Sequence, residues 1–188
     1  MAEFGAYHLS ANPGLYEPVR TNNFILSVSG LDRLKRAGVV TPQDEDDYVS
    51  NGEEILRLSV ASSSIPHFEQ STIEVKRGNS TIKFAGVPTF SSGSIKIRDF
   101  VDANGKEVLL AWQALSYDVV HETIGRASEY KKTCTLLEYT SDYKQLLRTW
   151  TLEGCWISGL SEDDADYDSN NVKTVTATIT YDRAIPNK

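Results

Sequence analysis

The sequence predicts a mainly β fold, an antiparallel β-sandwich or barrel of about seven or eight strands with one flanking α-helix. Three observations carry that expectation. Apolar and polar residues alternate with period two through most of the apolar segments. Val, Ile, Thr and Tyr, which favour strands, are frequent. Helical spacing is convincing in one stretch, about residues 104–117.

The elements follow in order. Residues 1–21, with Pro13, Gly14 and Pro18, read as an irregular N-terminal arm; its Tyr7, Leu15, Tyr16 and Val19 suit docking on a neighbour. Residues 22–188 read as a single β domain. Phe24–Ser29 is its first strand, with Phe24, Leu26 and Val28 on one face. Residues 31–52 interrupt the pattern as a loop insertion, with a short helical turn over Leu31–Ala37 and an exposed acidic tip over Gln43–Asp47. Ile55–Ala61 reads as the second strand, with Leu56, Leu58 and Val60 inward. Thr72–Lys76 and Thr81–Ala85 form a hairpin about Gly78-Asn79, a pair that tolerates the positive φ of a tight turn. Ile73, Val75, Ile82 and Phe84 mark its apolar face, and Glu74, Lys76 and Lys83 its charged one.

Ser94–Asp99 repeats the alternation, Ile95 and Ile97 against Lys96 and Arg98. Asn104 is the cap expected for the helix that follows, with Glu107 three residues on. Val108, Leu109, Trp112 and Leu115 form its core stripe. Lys132–Tyr139 and Lys144–Glu153 make a second hairpin about Ser141-Asp142. Gly154–Leu160 leads into an acidic loop, Glu162–Asp168. Lys173–Tyr181 is the last strand, with Val175, Ala177, Ile179 and Tyr181 on one face and Thr174, Thr176, Thr178 and Thr180 on the other.

Composition excludes several classes. The 188 residues are 40% hydrophobic and 24% charged, which is ordinary for a globular domain. The net charge of −7 argues against gripping nucleic acid, which needs clustered Lys and Arg. Met1–Ser10 lacks the basic start and apolar run of a secretory leader, and no stretch approaches the ~20 apolar residues of a membrane span. A cytoplasmic site of synthesis is expected. Cys134 and Cys155 are too few for a disulfide scaffold.

Candidate chemistry is thin. Of His8, His67 and His121, the last precedes Cys134 by thirteen residues, which allows a Cys–His nucleophile pair but supplies no third residue or oxyanion motif. Asp164, Asp166 and Asp168 alternate like calcium ligands, yet no glycine hinge or closing glutamate follows. Gly86 and Gly93 are isolated turn residues, not a phosphate cradle. The expectation is a non-enzymatic chain with no catalytic residue, metal or cofactor.

From Glu129 onward the chain resembles a known family. Glu129-Tyr130-Lys131-Lys132 opens a strand, a charged turn follows, and the returning strand ends in Gly154-Cys155-Trp156. Asp166-Tyr167-Asp168-Ser169-Asn170-Asn171 then precedes a final alternating strand. This order is similar to that of tail tube proteins of contractile-tailed, myovirus-type bacteriophages. Earlier segments agree in sequence, among them the first strand, the VASSSIP strand end and the LLAWQAL helix, so the likeness runs from about 22 to 183. Residues 31–52 depart from it.

The resemblance implies a structural virion protein whose hexameric rings stack into the inner tube of a tail and conduct DNA. It implies partners in further copies of itself, the sheath protein, baseplate and tail-terminator proteins, and DNA passing non-specifically, with no membrane. It places the chain in the virion tail after assembly in the host cytoplasm. Glu74, Lys76, Lys83, Lys96 and Arg98 are then candidates for the lumen or the inter-subunit strands, and Tyr16, Asp46 and Asp47 for contacts between rings. A net-negative wall would repel phosphate over ~8 Å at physiological salt. Alternative readings are the inner tube of a tailocin or type VI secretion system, a monomeric β-barrel that binds a small ligand in an apolar cavity, and the Cys134–His121 hydrolase. A bridge from Cys134 or Cys155 to another subunit is the remaining possibility for the thiols.

Overall fold

The computed structural model describes residues 18–64, 66, 68–168 and 170–187. Its backbone is organised by one long strand that belongs to two sheets. Strand β11, Leu146–Glu162, pairs through its first half with β10 (Lys132–Tyr139) and β13 (Arg183–Asn187). Its second half pairs with β12 (Thr174–Thr180). Strand β1 (Phe24–Ser29) extends the first sheet beyond β10, and β7 (Gly93–Arg98) and β4 (Val60–Ser63) extend the second beyond β12. All pairings are antiparallel, and both halves send residues into one core. Leu26, Val28, Cys134, Leu136, Leu152 and Cys155 come from one side, and Ile95, Ile97, Ile157, Val175, Ala177 and Ile179 from the other.

Gly154 is where β11 changes sheet. Leu152 lies opposite Cys134 and Cys155 opposite Lys132, so three steps along β11 match two along β10. The extra residue makes a bulge, which bends and twists the strand. Gly154 has φ +69°, a conformation natural to glycine, and a Cβ there would sit 2.2 Å from Asp182 Oδ2. That carboxylate is pinned by Lys131 Nζ at 2.8 and 2.7 Å.

Two helices cover the core. Helix α2, Gly105–Ala114, begins where Asn104 Oδ1 accepts from the Glu107 N–H at 3.0 Å. Trp112 is fully buried and its indole N–H donates to Tyr130 O at 2.9 Å, while the Tyr130 ring lies edge-on to Trp156. The Glu-Tyr-Lys-Lys run thus anchors helix, bulge and strand together; its Lys132 side chain lies over Gly30.

Helix α1, Gly52–Ser59, replaces the strand expected over Ile55–Ala61; only Val60–Ser63 is strand. Leu58, expected inward, is 68% exposed, whereas Gly52, Leu56 and Ser59 are buried at i, i+4 and i+7. Glu53 and Glu54 in its first turn and Arg57 in its last suit the helix dipole. The small residues let α1 approach α2: a Cβ on Gly105 would meet Ile97 Cδ1 at 2.8 Å and Ser59 Oγ at 3.3 Å. Ser59 Oγ is buried there without a hydrogen-bond partner among the described residues. Ser59→Ala removes a desolvated hydroxyl at little cost in packing, so a gain of about 1 kcal/mol and a Tm rise of roughly 2–4 °C are expected in thermal denaturation followed by circular dichroism.

The segment 31–52 is not a loose loop. Its start is strand β2 (Arg33–Lys35) rather than a helical turn, paired with β3 (Tyr48–Ser50), and the acidic tip ends in the 3-10 turn Glu45–Asp47. Leu31, Leu34 and Val49 are buried in the main core, and Arg36 pairs with Glu107 of α2. Three further elements complete the chain: β8 (Tyr117–Asp118), β9 (Thr123–Ile124) and the single helical turn α3 (Ala127–Tyr130). Thirteen strands and three α-helices among the described residues therefore exceed the seven or eight strands and one helix expected; the additions are mostly elements of two to five residues. The mainly antiparallel architecture with a helix on its flank is as the sequence predicts.

Candidate assembly surface

Two strands pair only with each other. β5 (Phe68–Arg77) and β6 (Ser80–Phe90) form a hairpin longer at both ends than the alternation alone marks. Gly78 at φ +62° begins its two-residue turn, and Ser80 Oγ donates back to Arg77 O at 2.9 Å. Ile73 lies opposite Phe84 and Val75 opposite Ile82, so these four side chains share one face. They are 53, 54, 47 and 38% exposed respectively. Glu74 faces Lys83 on the opposite side and pairs with it at 3.2 Å. Lys76 lies on that side near the tip. Among the described residues the expected half-wet sheet is thus wet on both faces; its base is tied down by the tilted ring contacts of Phe68, Phe90 and Tyr181.

A second surface is the outside of the β11–β12–β7–β4 sheet. Thr174 is opposite Arg98, Thr176 opposite Lys96, and Thr178 opposite Ser94. Across the next strand Ser161 faces Thr176, and on the far side Ser62 faces Lys96. This face carries hydroxyls, two cations and the Asp163 carboxylate that accepts from the Thr174 hydroxyl, while Val175, Ala177, Ile95 and Ile97 point into the core. The candidate residues therefore fall on two separate sheets: Lys96 and Arg98 here, Glu74, Lys76 and Lys83 on the hairpin. The threonine row was visible in the sequence as four alternating Thr; its placement beside Lys96 and Arg98 was not, because pairing of β12 with β7 joins segments some eighty residues apart.

The edge strands are open. Among the described residues β4 pairs on one side only, with β7, and β1 only with β10. Exposed backbone edges of this kind invite another chain.

The acidic features are ordered by local bonds. Asp47 accepts from the Gln43 and Asp44 N–H groups at 2.8 and 3.2 Å, which holds its carboxyl below the usual range, and Glu45 pairs with Arg33 at 3.0 Å. Asp46 is exposed beside them. Tyr16, like the rest of residues 1–17 with His8, lies outside the described residues, as does His67. At the other acidic segment, Glu162 takes Lys106 at 2.7 Å and Lys173 at 2.9 Å, and Asp163 accepts from the Thr174 N–H at 3.0 Å. Both carboxyls are held below their usual values, Glu162 first by Lys106 and then Lys173, Asp163 first by the Thr174 hydroxyl. A carboxylate with a depressed folded pKa contributes stability above its unfolded pKa and loses it as pH falls through the folded one. A decline in Tm is thus expected as pH drops below the ordinary carboxylate range, and Glu162→Gln should flatten that part of a Tm-versus-pH curve.

The chemical alternatives meet the structure directly. Cys134 is 1% exposed in the core, and contact with Cys155 and burial push its thiol well up, the opposite of an activated nucleophile. His121 is at the surface with its ring on Asp118 at 2.9 Å, so the Cys–His pair is not formed. Burial of both thiols also leaves neither available for a bridge to another subunit. The cavity bounded by Leu26, Cys134, Leu136, Leu152 and Ile179 amounts to about 20 Å³, too little for a small-molecule ligand at that place. Among the described residues no three His, Cys, Asp or Glu side chains converge as metal ligands, and no helix is long and apolar enough to cross a membrane.

A fold that holds an apolar hairpin out into water and leaves its sheet edges open belongs to the class of structural subunits that join further chains. The match to known proteins makes the class specific: the chain belongs to the T4-like virus tail tube protein gp19 family, whose model matches residues 22–184. It is 27% identical over 106 residues to the tail tube protein gp19 of Enterobacteria phage T4, and equally to that of phage T6. Each match covers 55% of this chain and 65% of the relative, so it spans just under two thirds of those proteins. The fold is also that of the sheath–tube complex of the PVC extracellular contractile injection system, with TM-score 0.62 and 19% identity over 98% of this chain and 99% of that one. The sheath/tube terminator of the same system gives TM-score 0.64 and 19% identity over 93% and 99%. The tube-terminating cap of the anti-feeding prophage gives TM-score 0.62 and 17% identity over 91% of each chain.

Proposed function

We propose that the chain is a non-enzymatic subunit of a bacteriophage tail, assembled in the host cytoplasm as hexameric rings that stack into the inner tube and conduct DNA. The observation that carries this reading is the β5–β6 hairpin, an apolar face left exposed among the described residues. Pairing open sheet edges head to tail around a closed ring leaves no free edge. The hydroxyl face with Ser94, Lys96, Arg98, Thr174, Thr176 and Thr178 lines the lumen, and the hairpin, with Glu74, Lys76 and Lys83, reaches a neighbouring copy. Threonine and serine hydroxyls present no dense positive charge to DNA phosphates, and Lys96 and Arg98 act within a chain whose net charge is −7. The acidic tip with Asp46 and Asp47 and the arm with Tyr16 contact adjacent rings. Sheath, baseplate and terminator proteins are the outer partners, in keeping with the complexes in which chains of this fold occur.

The test is assembly and topology together. The purified chain at high concentration should show rings or tubes by negative-stain microscopy; a clean monomer would sink the reading. Thr176→Cys introduces an accessible thiol against a background of two buried ones. In assembled tubes its labelling by a bulky maleimide should be far slower than in dissociated chains. Equal rates would move the lumen to another face.

An inner tube of a related contractile injection system is the second reading, favoured by the same fold in the PVC tube. It differs in cargo, so particles purified with or without packaged DNA separate the two.

A further inference from the structure

Cys134 and Cys155 sit on adjacent strands, with their side chains inside the same core at 1% and 0% exposure. They straddle the β11 bulge: Cys134 is opposite Leu152, and Cys155 reaches back so that its thiol donates to Leu152 O at 3.4 Å. That places the Cys155 thiol over the residue directly across from Cys134, within the same buried cluster. Both are reduced in this structure. Nothing in the tube role calls for two adjacent thiols at this position, where Ala or Val would fill the core as well.

We propose that Cys134 and Cys155 are a modification site, a thiol pair that closes to an internal disulfide under oxidation and locks β10 to β11 beside the Gly154 bulge. With hydrogen peroxide as oxidant, one thiolate attacks a peroxide oxygen to give a sulfenic acid and hydroxide. The second thiol then displaces water from that sulfur, so that two thiols and one peroxide yield one disulfide and two waters. Burial keeps both sulfurs from bulky reagents and raises Cys134, so closure is slow and proceeds through local opening of the strand pair. In a particle outside the cell, as the tube reading implies, no glutathione pool opposes it. The chemistry of the pair itself stands whether or not the chain forms a tube.

The experiment uses the intact wild-type chain, treated with hydrogen peroxide, then denatured and alkylated before mass measurement. Closure predicts a loss of 2 mass units from the two thiols, no alkylation, and a 134–155 cross-link in the peptide map. It also predicts a Tm rise of roughly 5–10 °C that dithiothreitol reverses. Cys155→Ala should retain one alkylatable thiol and show no such rise. Two alkylatable thiols after oxidation, a disulfide between chains, or sulfinic acid at either cysteine would overturn the proposal. Tube formation by the untreated chain is read separately, by microscopy, so failure of the assembly reading and failure of this one remain distinct.

Discussion

Replacing Ile73, Val75, Ile82 and Phe84 together by serine is expected to leave a folded chain that no longer forms rings or tubes. All four lie on one face of a hairpin and none of them belongs to the main core, which the hairpin meets through Phe90 at its base, so the native far-ultraviolet spectrum and Tm should be nearly unchanged. Each side chain is about half exposed in the single chain, and covering the remainder is worth about 1 kcal/mol per residue. Losing four such contributions removes about 4 kcal/mol per contact, roughly a thousandfold in association constant, and every joint of an assembly carries the same loss. Sedimentation velocity of the variant should show monomer at concentrations where the wild type assembles. Changing the other face, Lys76→Gln with Lys83→Gln, should have a much smaller effect. If the serine variant still forms tubes, the hairpin is not the docking element and the open edges of β1 and β4 must carry assembly alone.

Gly154→Val is expected to damage the fold severely. A β-branched side chain at φ +69° is strained by about 1–3 kcal/mol, and the collision with Asp182 adds about 1–3 kcal/mol more as overpacking. Urea denaturation should show a loss of about 2–6 kcal/mol in the sum of those terms. In thermal scans the midpoint should fall by roughly 4–24 °C. Gly154→Ala should cost less. Pairing it with Asp182→Ala separates the two causes, because removing the carboxylate relieves the collision and leaves the backbone strain. If Gly154→Val melts like the wild type, β11 does not depend on this bulge to pass between sheets.

Several elements were legible because their residues satisfy a local rule. The β5–β6 turn announces itself through Gly78-Asn79, helix α2 through Asn104 and the stripe ending at Trp112, and β12 through strict alternation. Helix α1 was read as a strand because Leu56, Leu58 and Val60 alternate. The face that α1 buries is Gly52, Leu56 and Ser59, and two of those three residues carry no apolar signal. They matter through closeness to α2, which only the packed structure reveals. Segment 31–52 was read as an exposed loop because its middle is acidic; its ends, Leu31, Leu34 and Val49, are what reach the core.

The candidate surface divides in the same way. That the hairpin has an apolar and a charged face follows from period two and needs no coordinates. That the apolar face stays about half exposed among the described residues is a fact of tertiary structure, since any strand could have packed on it.

By itself, the sequence determined the mainly antiparallel β character, the position of α2 and the family likeness from Glu129 onward. These rest on side-chain period, caps and short motifs, which act within a few residues. Only the tertiary structure decided that β11 serves two sheets through Gly154, that Lys96 and Arg98 stand beside a threonine row, and that Cys134 and Cys155 share one buried core. Each of these depends on strand register and on which sheets face each other. Register is set by the simultaneous packing of all the strands, so no local pattern encodes it.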